Sequence, residues 1–348
     1  MIEIAFLCNG GKTIGMGHVM RCLALADEFK LHDCKVCFIS SVSDGIKTIR
    51  SYGYSVHETN GNLIQESDDL VVLADKITDI INKHSFDFLI IDSYNVSFDF
   101  LLSLKSKVKK TVYIDDLNSF TYPVDILING NINSENVKYK TFSSEEVLLL
   151  GREFTLLRQE FRNLPTKQNS SEVKSLLITS GGSDPYNMCG KIAEQLLSDK
   201  SLAELQLKIV VGASFSDINY LHDLAIEYPA VTLYPEPASM SKLMLSTDIA
   251  ISSAGSTLYE LCACGVPSFS FIMAQNQVKL AENMDEQGLV KCLGWYNQLT
   301  KAILCSSVKS LISDIKLRAW IGIAMRKFID GYGAKRTVDR ILNIINNK

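Results

Sequence analysis

The chemistry most visible in this chain is a histidine on the rim of a glycine loop. The segment Gly10-Gly11-Lys12-Thr13-Ile14-Gly15-Met16-Gly17-His18-Val19-Met20-Arg21 follows an apolar run at residues 4–8. It precedes residues 19–29, where Val19, Cys22, Leu23, Ala26 and Phe29 recur at helical spacing. The pattern predicts a strand, a glycine loop and a helix, with His18 in or near the first helical turn. Glycines such as Gly15 and Gly17 let a backbone approach a ligand closely, and the free N–H groups of a helix start attract anions. The positive potential at a helix start favours an uncharged imidazole, the form that acts as a base. The bland alternative is a histidine that caps its helix and does no chemistry. Arg21, one turn later, can contact a phosphate or hold a neighbouring acid. The glycine spacing fits neither the dinucleotide fingerprint nor the P-loop.

Two loops in the second half lie at strand ends, and the second of them suits a diphosphate. Thr179-Ser180-Gly181-Gly182-Ser183-Asp184-Pro185 follows an apolar run, and Ser252-Ser253-Ala254-Gly255-Ser256-Thr257 follows another and opens a helix. The hydroxyls of Ser256 and Thr257, with the N–H groups there, make an anion site beside Gly255. Glu260 lies one turn inside, where it can accept hydrogen bonds from a ribose or simply favour the helix dipole. In the first half, Asp92-Ser93-Tyr94 and Asp115-Asp116 end apolar runs. Such carboxylates can orient His18, bind a sugar hydroxyl or amide, or cap loops. Asn276 and Gln277 follow a further apolar run and can bind an amide or hydroxyl.

The elements that must position these residues read as α/β. Strand patterns at residues 4–8, 36–40, 88–92, 111–115, 126–129 and 147–150 alternate with helical patterns such as 19–29 and 70–83. That alternation predicts a parallel sheet covered on both faces. A polar stretch at 165–171 interrupts it, and the rhythm restarts with strands at 175–179, 207–211, 231–234, 249–252 and 268–271. Helices are expected at 188–197, 218–227, 239–245 and 257–264. The expected organisation is an N-terminal Rossmann-like domain at 1–164 and a nucleotide-binding Rossmann-like domain at 172–330. A closing helical segment at 331–348 is expected to pack back on the first domain. Two doubly wound domains would face a cleft at the carboxyl ends of their sheets.

Composition narrows the class. A chain of 348 residues with 47% hydrophobic residues is long enough for two cores. A net charge of −4 gives no bulk attraction to nucleic acid or to an anionic surface. No run approaches the roughly 20 apolar residues of a membrane span. The opening apolar run is too short for a signal peptide. Nine scattered cysteines fit a reducing cytoplasm better than a disulfide framework. Cys34 and Cys37 have redox-motif spacing but fall in and beside a strand pattern, so they read as buried thiols. No His, Cys and carboxylate spacing suggests a metal site.

Taken in order, the motifs resemble those of the pseudaminic acid pathway hydrolases. The resemblance runs through Ile14 to Cys22, Ile91-Asp92-Ser93-Tyr94, Ile114-Asp115-Asp116-Leu117 and Leu156-Leu157-Arg158-Gln159-Glu160-Phe161. It continues through Ser180 to Pro185, Ser253 to Leu261 and Gln275-Asn276-Gln277. It implies a GT-B fold like that of the glycosyltransferase MurG. It also implies hydrolysis of UDP-2,4-diacetamido-2,4,6-trideoxy-β-L-altropyranose by water attack at C1 with inversion. His18 falls on the family's base, Gly255, Ser256, Thr257 and Glu260 on its nucleotide region, and Asn276 near the pyrophosphate and sugar. No cofactor or metal is implied. Leu7 and Asn9 stand where close members often carry Arg and Asp, which leaves a related diacetamido sugar open. A glycosyltransferase on the same architecture and a non-catalytic sugar-nucleotide binding protein are the alternatives.

Overall fold

The computed structural model describes residues 1–11, 14–59, 67–167 and 171–346. Lys12 and Thr13 of the glycine loop, and residues 168–170 of the polar stretch, lie outside the described residues. The chain divides into two compact units, Met1–Gln159 with Tyr332–Lys348, and Glu160–Gly331.

In the first unit the strands are β1 (Glu3–Cys8), β2 (Lys35–Ser40), β3 (Ser55–Glu58), β4 (Phe88–Asp92), β5 (Lys110–Ile114), β6 (Ile126–Asn129) and β7 (Val147–Leu150). The helices between them are α1 (Gly17–Lys30), α2 (Ser43–Ser51), α3 (Ser67–Lys83) and α4 (Phe98–Lys105). The sheet order is β3-β2-β1-β4-β5-β6-β7, and its pairings are parallel. Strands buried on both faces must be apolar throughout, and β4, Phe-Leu-Ile-Ile-Asp, is buried at each position. The sheet winds outward in both directions from the β1–β4 pair. The carboxyl ends of β1 and β4 are therefore its topological switch point, where open α/β sheets bind ligands. The register pairs Cys8 with Asp92 at that end.

The glycine loop delivers the chain from β1 to α1. Gly11 and Gly15 exchange two backbone hydrogen bonds, of 3.1 and 2.8 Å, which close the loop. Gly15 has φ +75°, a conformation that glycine adopts without strain. Helix α1 then buries Val19, Cys22, Leu23, Ala26 and Phe29, the face its spacing required. The last helix of the chain, Gly333–Asn346, packs its Ala334, Val338 and Ile341 into the same apolar cluster as α1. Full burial of a side chain such as Val338 or Ile341 contributes about 1.5–3 kcal/mol.

The second unit repeats the design with β8 (Ser175–Thr179), β9 (Gln206–Val211), β10 (Val231–Pro235), β11 (Ile249–Ser253), β12 (Ser268–Ile272) and β13 (Val290–Trp295). Its helices are α5 (Met188–Leu197), α6 (Ile218–Glu227), α7 (Met240–Leu245), α8 (Thr257–Cys264), α9 (Val278–Glu286), α10 (Lys301–Ser313) and α11 (Ile315–Phe328). The order β10-β9-β8-β11-β12-β13 places the switch point between β8 and β11.

The expected strands all form, within a residue or two at their ends. Strands β3 and β13 were not anticipated. Both are edge strands with exposed or half-exposed positions, so neither shows a continuous apolar run. Helices α2, α4, α9, α10 and α11 were not anticipated either. Helix α2 carries Gly45 inside a serine-rich segment, a composition that reads as a turn. Among the described residues no helix is long and apolar enough to cross a membrane.

Candidate functional site

His18 occupies the second position of α1, and the N-cap residue before that helix, Met16, makes no side-chain capping bond. The imidazole is buried and its Nδ1 lies 2.6 Å from Oδ1 of Asp92. Asp92 is the last residue of β4 and is fully buried. Burial alone would raise its carboxyl. The charge of Arg21, and then that of His18, overcome this and hold it well below the ordinary carboxylate range. An ionised Asp92 only accepts, so the proton in this bond sits on Nδ1. That tautomer leaves the lone pair on Nε2, the arrangement of a histidine oriented to act as a base. Of the roles open to Asp92, the structure supports orienting His18.

Arg21 does not stand open to a phosphate. Its Nε lies 2.5 Å from Asp92 Oδ2, and Nη2 lies 2.6 Å from Asp92 Oδ1. Its Nη1 donates to both oxygens of Asp116, at 2.9 and 2.7 Å. Burial works against the guanidinium charge, but Asp116 and Asp92 outweigh it and raise the group well above its usual value. The holding of neighbouring acids is thus the role its geometry gives it. Tyr94 donates its hydroxyl to Asp116 Oδ2 at 2.8 Å and sets its ring edge-on to His18, with centroids 4.6 Å apart. Burial, and next the Asp116 charge, push the Tyr94 hydroxyl up, so it remains a donor.

Of the roles open to Asp115, the structure supports loop capping rather than ligand binding, because its oxygens serve its own loop. They accept from the backbone of Leu117 and Asn118 (3.1 and 2.8 Å) and from the hydroxyls of Tyr122 and Tyr139 (2.7 and 2.5 Å). The next residue, Asp116, joins the Arg21 network. The turn after β5 draws the first carboxylate inward and leaves the second to the switch point. The unusual pair ahead of the loop is also accommodated. Leu7 lies in an apolar cluster with Ile39, Leu73 and Ile91. Asn9 accepts from Ser40 Oγ and the Ser41 backbone, both at 2.9 Å, tying the ends of β1 and β2 together.

In the second unit the two glycine loops lie side by side at the β8–β11 switch point. Ser253 Oγ donates to the Ser180 carbonyl at 2.9 Å. Gly181 has φ +80°, and a Cβ placed on it would lie 3.9 Å from Thr257 Oγ1. Gly182 and Ser183 are half-buried, and Asp184 caps α5 by accepting from Met188 and Cys189 backbone at 2.8 Å each. Ser256 is the N-cap of α8 but makes no side-chain capping bond, so its exposed hydroxyl is not consumed by the helix. The Leu258 and Tyr259 N–H groups donate back to the Gly255 and Ser256 carbonyls at 3.0 Å each, so the anion donor at the start of α8 is the Thr257 N–H, with the helix dipole behind it. Glu260 stands half-buried in the first turn of α8. After β12, Asn276 is exposed, while Gln277 accepts from the Met273 backbone through Oε1 at 2.8 Å. Gln277 therefore braces its own loop and keeps only its amide N–H groups for other partners.

Two further residues of this region were not anticipated. Gly212 follows β9, and a Cβ there would meet the Gly181 and Gly182 carbonyl oxygens at 2.5 and 2.6 Å. Only glycine fits this approach. Ser214 donates its backbone N–H to Gly182 at 3.0 Å, and its own Oγ is buried without a partner among the described residues. Neither has a sequence signature beyond following an apolar strand. Among the described residues no three His, Cys, Asp or Glu side chains gather as metal ligands do.

No family model matches the chain. It is 29% identical over 290 residues to an uncharacterised protein of Methanocaldococcus jannaschii, a match covering 80% of this chain and 57% of that one. It is 25% identical over 292 residues to the UDP-2,4-diacetamido-2,4,6-trideoxy-beta-L-altropyranose hydrolase of Campylobacter jejuni, covering 82% and 97%. It is 31% identical over 301 residues to the Helicobacter pylori pseudaminic acid cytidylyltransferase and UDP-2,4-diacetamido-2,4,6-trideoxy-beta-L-altropyranose hydrolase, covering 83% and 48%. The chain thus spans about half the length of the first and third of these relatives. In fold it resembles Acinetobacter baumannii MurG, with a TM-score of 0.70 at 14% identity over 99% of this chain and 100% of that one. It also resembles the Staphylococcus aureus MnaA–UDP structure, with a TM-score of 0.67 at 13% identity over 99% and 97%. At such identities the structural likeness speaks to the fold alone. By sequence the chain is similar to two relatives named as UDP-2,4-diacetamido-2,4,6-trideoxy-beta-L-altropyranose hydrolases, and by fold it consists of two Rossmann-like units of the GT-B kind, like MurG.

Proposed function

We propose that this chain is a hydrolase that releases UDP from a UDP-linked diacetamido-trideoxy sugar, UDP-2,4-diacetamido-2,4,6-trideoxy-β-L-altropyranose or a close relative, in the making of a pseudaminic-type sugar. The observation that carries this reading is the His18–Asp92 bond of 2.6 Å at the switch point of the first unit. His18 Nε2 takes a proton from water as the water oxygen attacks the sugar C1. The C1–O bond to the diphosphate breaks, and its electron pair leaves with UDP. A single displacement inverts the configuration at C1. UDP is a good leaving group, so stabilising its negative charge matters more than protonating it. The α8 helix start, with the Ser256 and Thr257 hydroxyls, supplies that stabilisation as a fixed dipole, beside the close-packed Gly181–Gly182 loop. Glu260 accepts from the ribose hydroxyls. The named activities of two relatives support the substrate class.

A base oriented in this way can equally deprotonate the hydroxyl of an acceptor sugar, and the MurG-like fold keeps a transferase as the second reading. Purified protein incubated with a panel of UDP-linked diacetamido sugars, followed by NMR, separates the two. Free sugar and UDP formed without acceptor, the first anomer being inverted, is the expected result. UDP release only when an acceptor is added would establish transfer, and binding without turnover would leave a sugar-nucleotide binding protein.

A further inference from the structure

His18 is surrounded by more charge than a base and its orienting acid require. From α1, Arg21 grips Asp92, and its Nη2 comes within 3.2 Å of His18 Nδ1. A guanidinium at that distance opposes a second positive charge on the imidazole. From the loop after β5, Asp116 takes up the other side of the guanidinium with both oxygens. Asp116 is itself held by the Tyr94 hydroxyl at 2.8 Å and by Asn131 Nδ2 at 2.7 Å. Further neutral neighbours among the described residues are the Cys22 thiol, 3.7 Å from Asp92 Oδ2, and the Tyr113 hydroxyl, both of which burial keeps protonated. With a neutral imidazole this cluster of one cation and two carboxylates carries one net negative charge. With an imidazolium it carries none.

We infer that Asp116 is a positioning residue for His18: by neutralising Arg21 it leaves the charge of Asp92 to stabilise the imidazolium formed when His18 takes a proton. The inference rests on the reading of His18 as the base. Without Asp116 the guanidinium draws Asp92 to itself, and the imidazole holds a proton less well. Asp115, one residue earlier, cannot substitute, because it is bound to Leu117, Asn118, Tyr122 and Tyr139.

The test uses D116N and the double variant R21Q/D116N, with D116S as a second neutral replacement should D116N fail to fold. In D116N the acid limb of the pH–rate profile for UDP release moves down by about one pH unit. Turnover at neutral pH falls about tenfold, while the UDP dissociation constant is unchanged. In the double variant the cation is gone as well, and the limb moves back toward its wild-type position. A purely structural role for Asp116 predicts the opposite order, with no movement of the limb and a double variant at least as impaired as the single. Imidazole NMR of His18 in the free protein gives a readout that needs no substrate. The same pH course of protonation in wild type and D116N overturns the inference whatever the enzyme hydrolyses. A displaced course in D116N, in a protein whose wild type hydrolyses no UDP-sugar, upholds the charge relation and brings down the hydrolase reading instead.

Discussion

Nδ1 of His18 stands 2.6 Å from Oδ1 of Asp92, a bond that joins the first turn of α1 to the carboxyl end of β4 across 74 residues of chain. Neither residue is placed by its neighbours in sequence. The parallel pairing of β1 with β4 brings them together, because it sets Cys8, from which the loop runs to α1, beside Asp92 at the end of β4. The site is thus a consequence of the strand order.

Replacing Asp92 by Asn removes the charge and the fixed tautomer together. The amide of D92N can donate to Nδ1, which moves the ring proton to Nε2 and blocks the base. Turnover of the UDP-sugar is expected to fall a hundredfold or more, with UDP affinity by calorimetry unchanged. Urea unfolding is expected to show a loss of about 1–3 kcal/mol, since Arg21 Nε and Nη2 lose their charged acceptor while Asp116 still balances the guanidinium. A variant with near-normal turnover would remove Asp92 from the mechanism.

Acid should weaken the first unit through this same cluster. The carboxyls of Asp92 and Asp116 both lie below their ordinary values in the folded protein: burial raises them, and the Arg21 charge more than reverses that. Their stabilising contribution is therefore fully present above the unfolded carboxylate value of about 4, and it is lost as the pH falls below that value toward the depressed folded ones. Urea midpoints measured from pH 7 to pH 3 should decline more steeply for wild type than for D116N. Parallel declines would show that Asp116 is not held ionised by the fold.

The adjacent acids should part company on mutation. D115N keeps one acceptor oxygen and breaks the two bonds made by the other, either those to Leu117 and Tyr122 or those to Asn118 and Tyr139, and is expected to cost about 1–3 kcal/mol of stability. Its pH–rate profile should keep the wild-type acid limb. A displaced limb in D115N would mean that the loop, rather than the Asp116 charge, controls the imidazole.

Much of this was readable in the sequence, for identifiable reasons. Buried parallel strands must be apolar throughout, so β4 and β11 stand out as unbroken runs, whereas the edge strand β3, Ser-Val-His-Glu, does not. His18, Arg21 and Asp92 were each visible as chemistry at a strand end or helix start. Their pairing was not, because it depends on the β1–β4 register. The choice between Asp115 and Asp116 was beyond the sequence for a more local reason. Two identical side chains in succession point opposite ways, and only the turn after β5 decides which faces Arg21. Gly212 carries no sequence signal, because the need for it lies in the carbonyls of another loop.

The nucleotide reading of the second unit has two direct checks. G212A would place a methyl group 2.5 Å from the Gly181 carbonyl oxygen, so the glycine loop must shift. UDP binding by calorimetry is expected to weaken at least tenfold. E260A removes the proposed ribose acceptor and is expected to weaken UDP about tenfold, roughly 1.4 kcal/mol, with no change in the UMP-to-UDP preference. Unaltered UDP affinity in both variants would place the nucleotide elsewhere.

The central claim is that His18 activates the attacking water. The most direct measurement is UDP release from the diacetamido UDP-sugar by H18A under single-turnover conditions, paired with UDP calorimetry on the same preparation. The account predicts that release slows by a factor of a thousand or so while the UDP dissociation constant stays within twofold of wild type. Release at a near wild-type rate, with UDP bound normally, would contradict it.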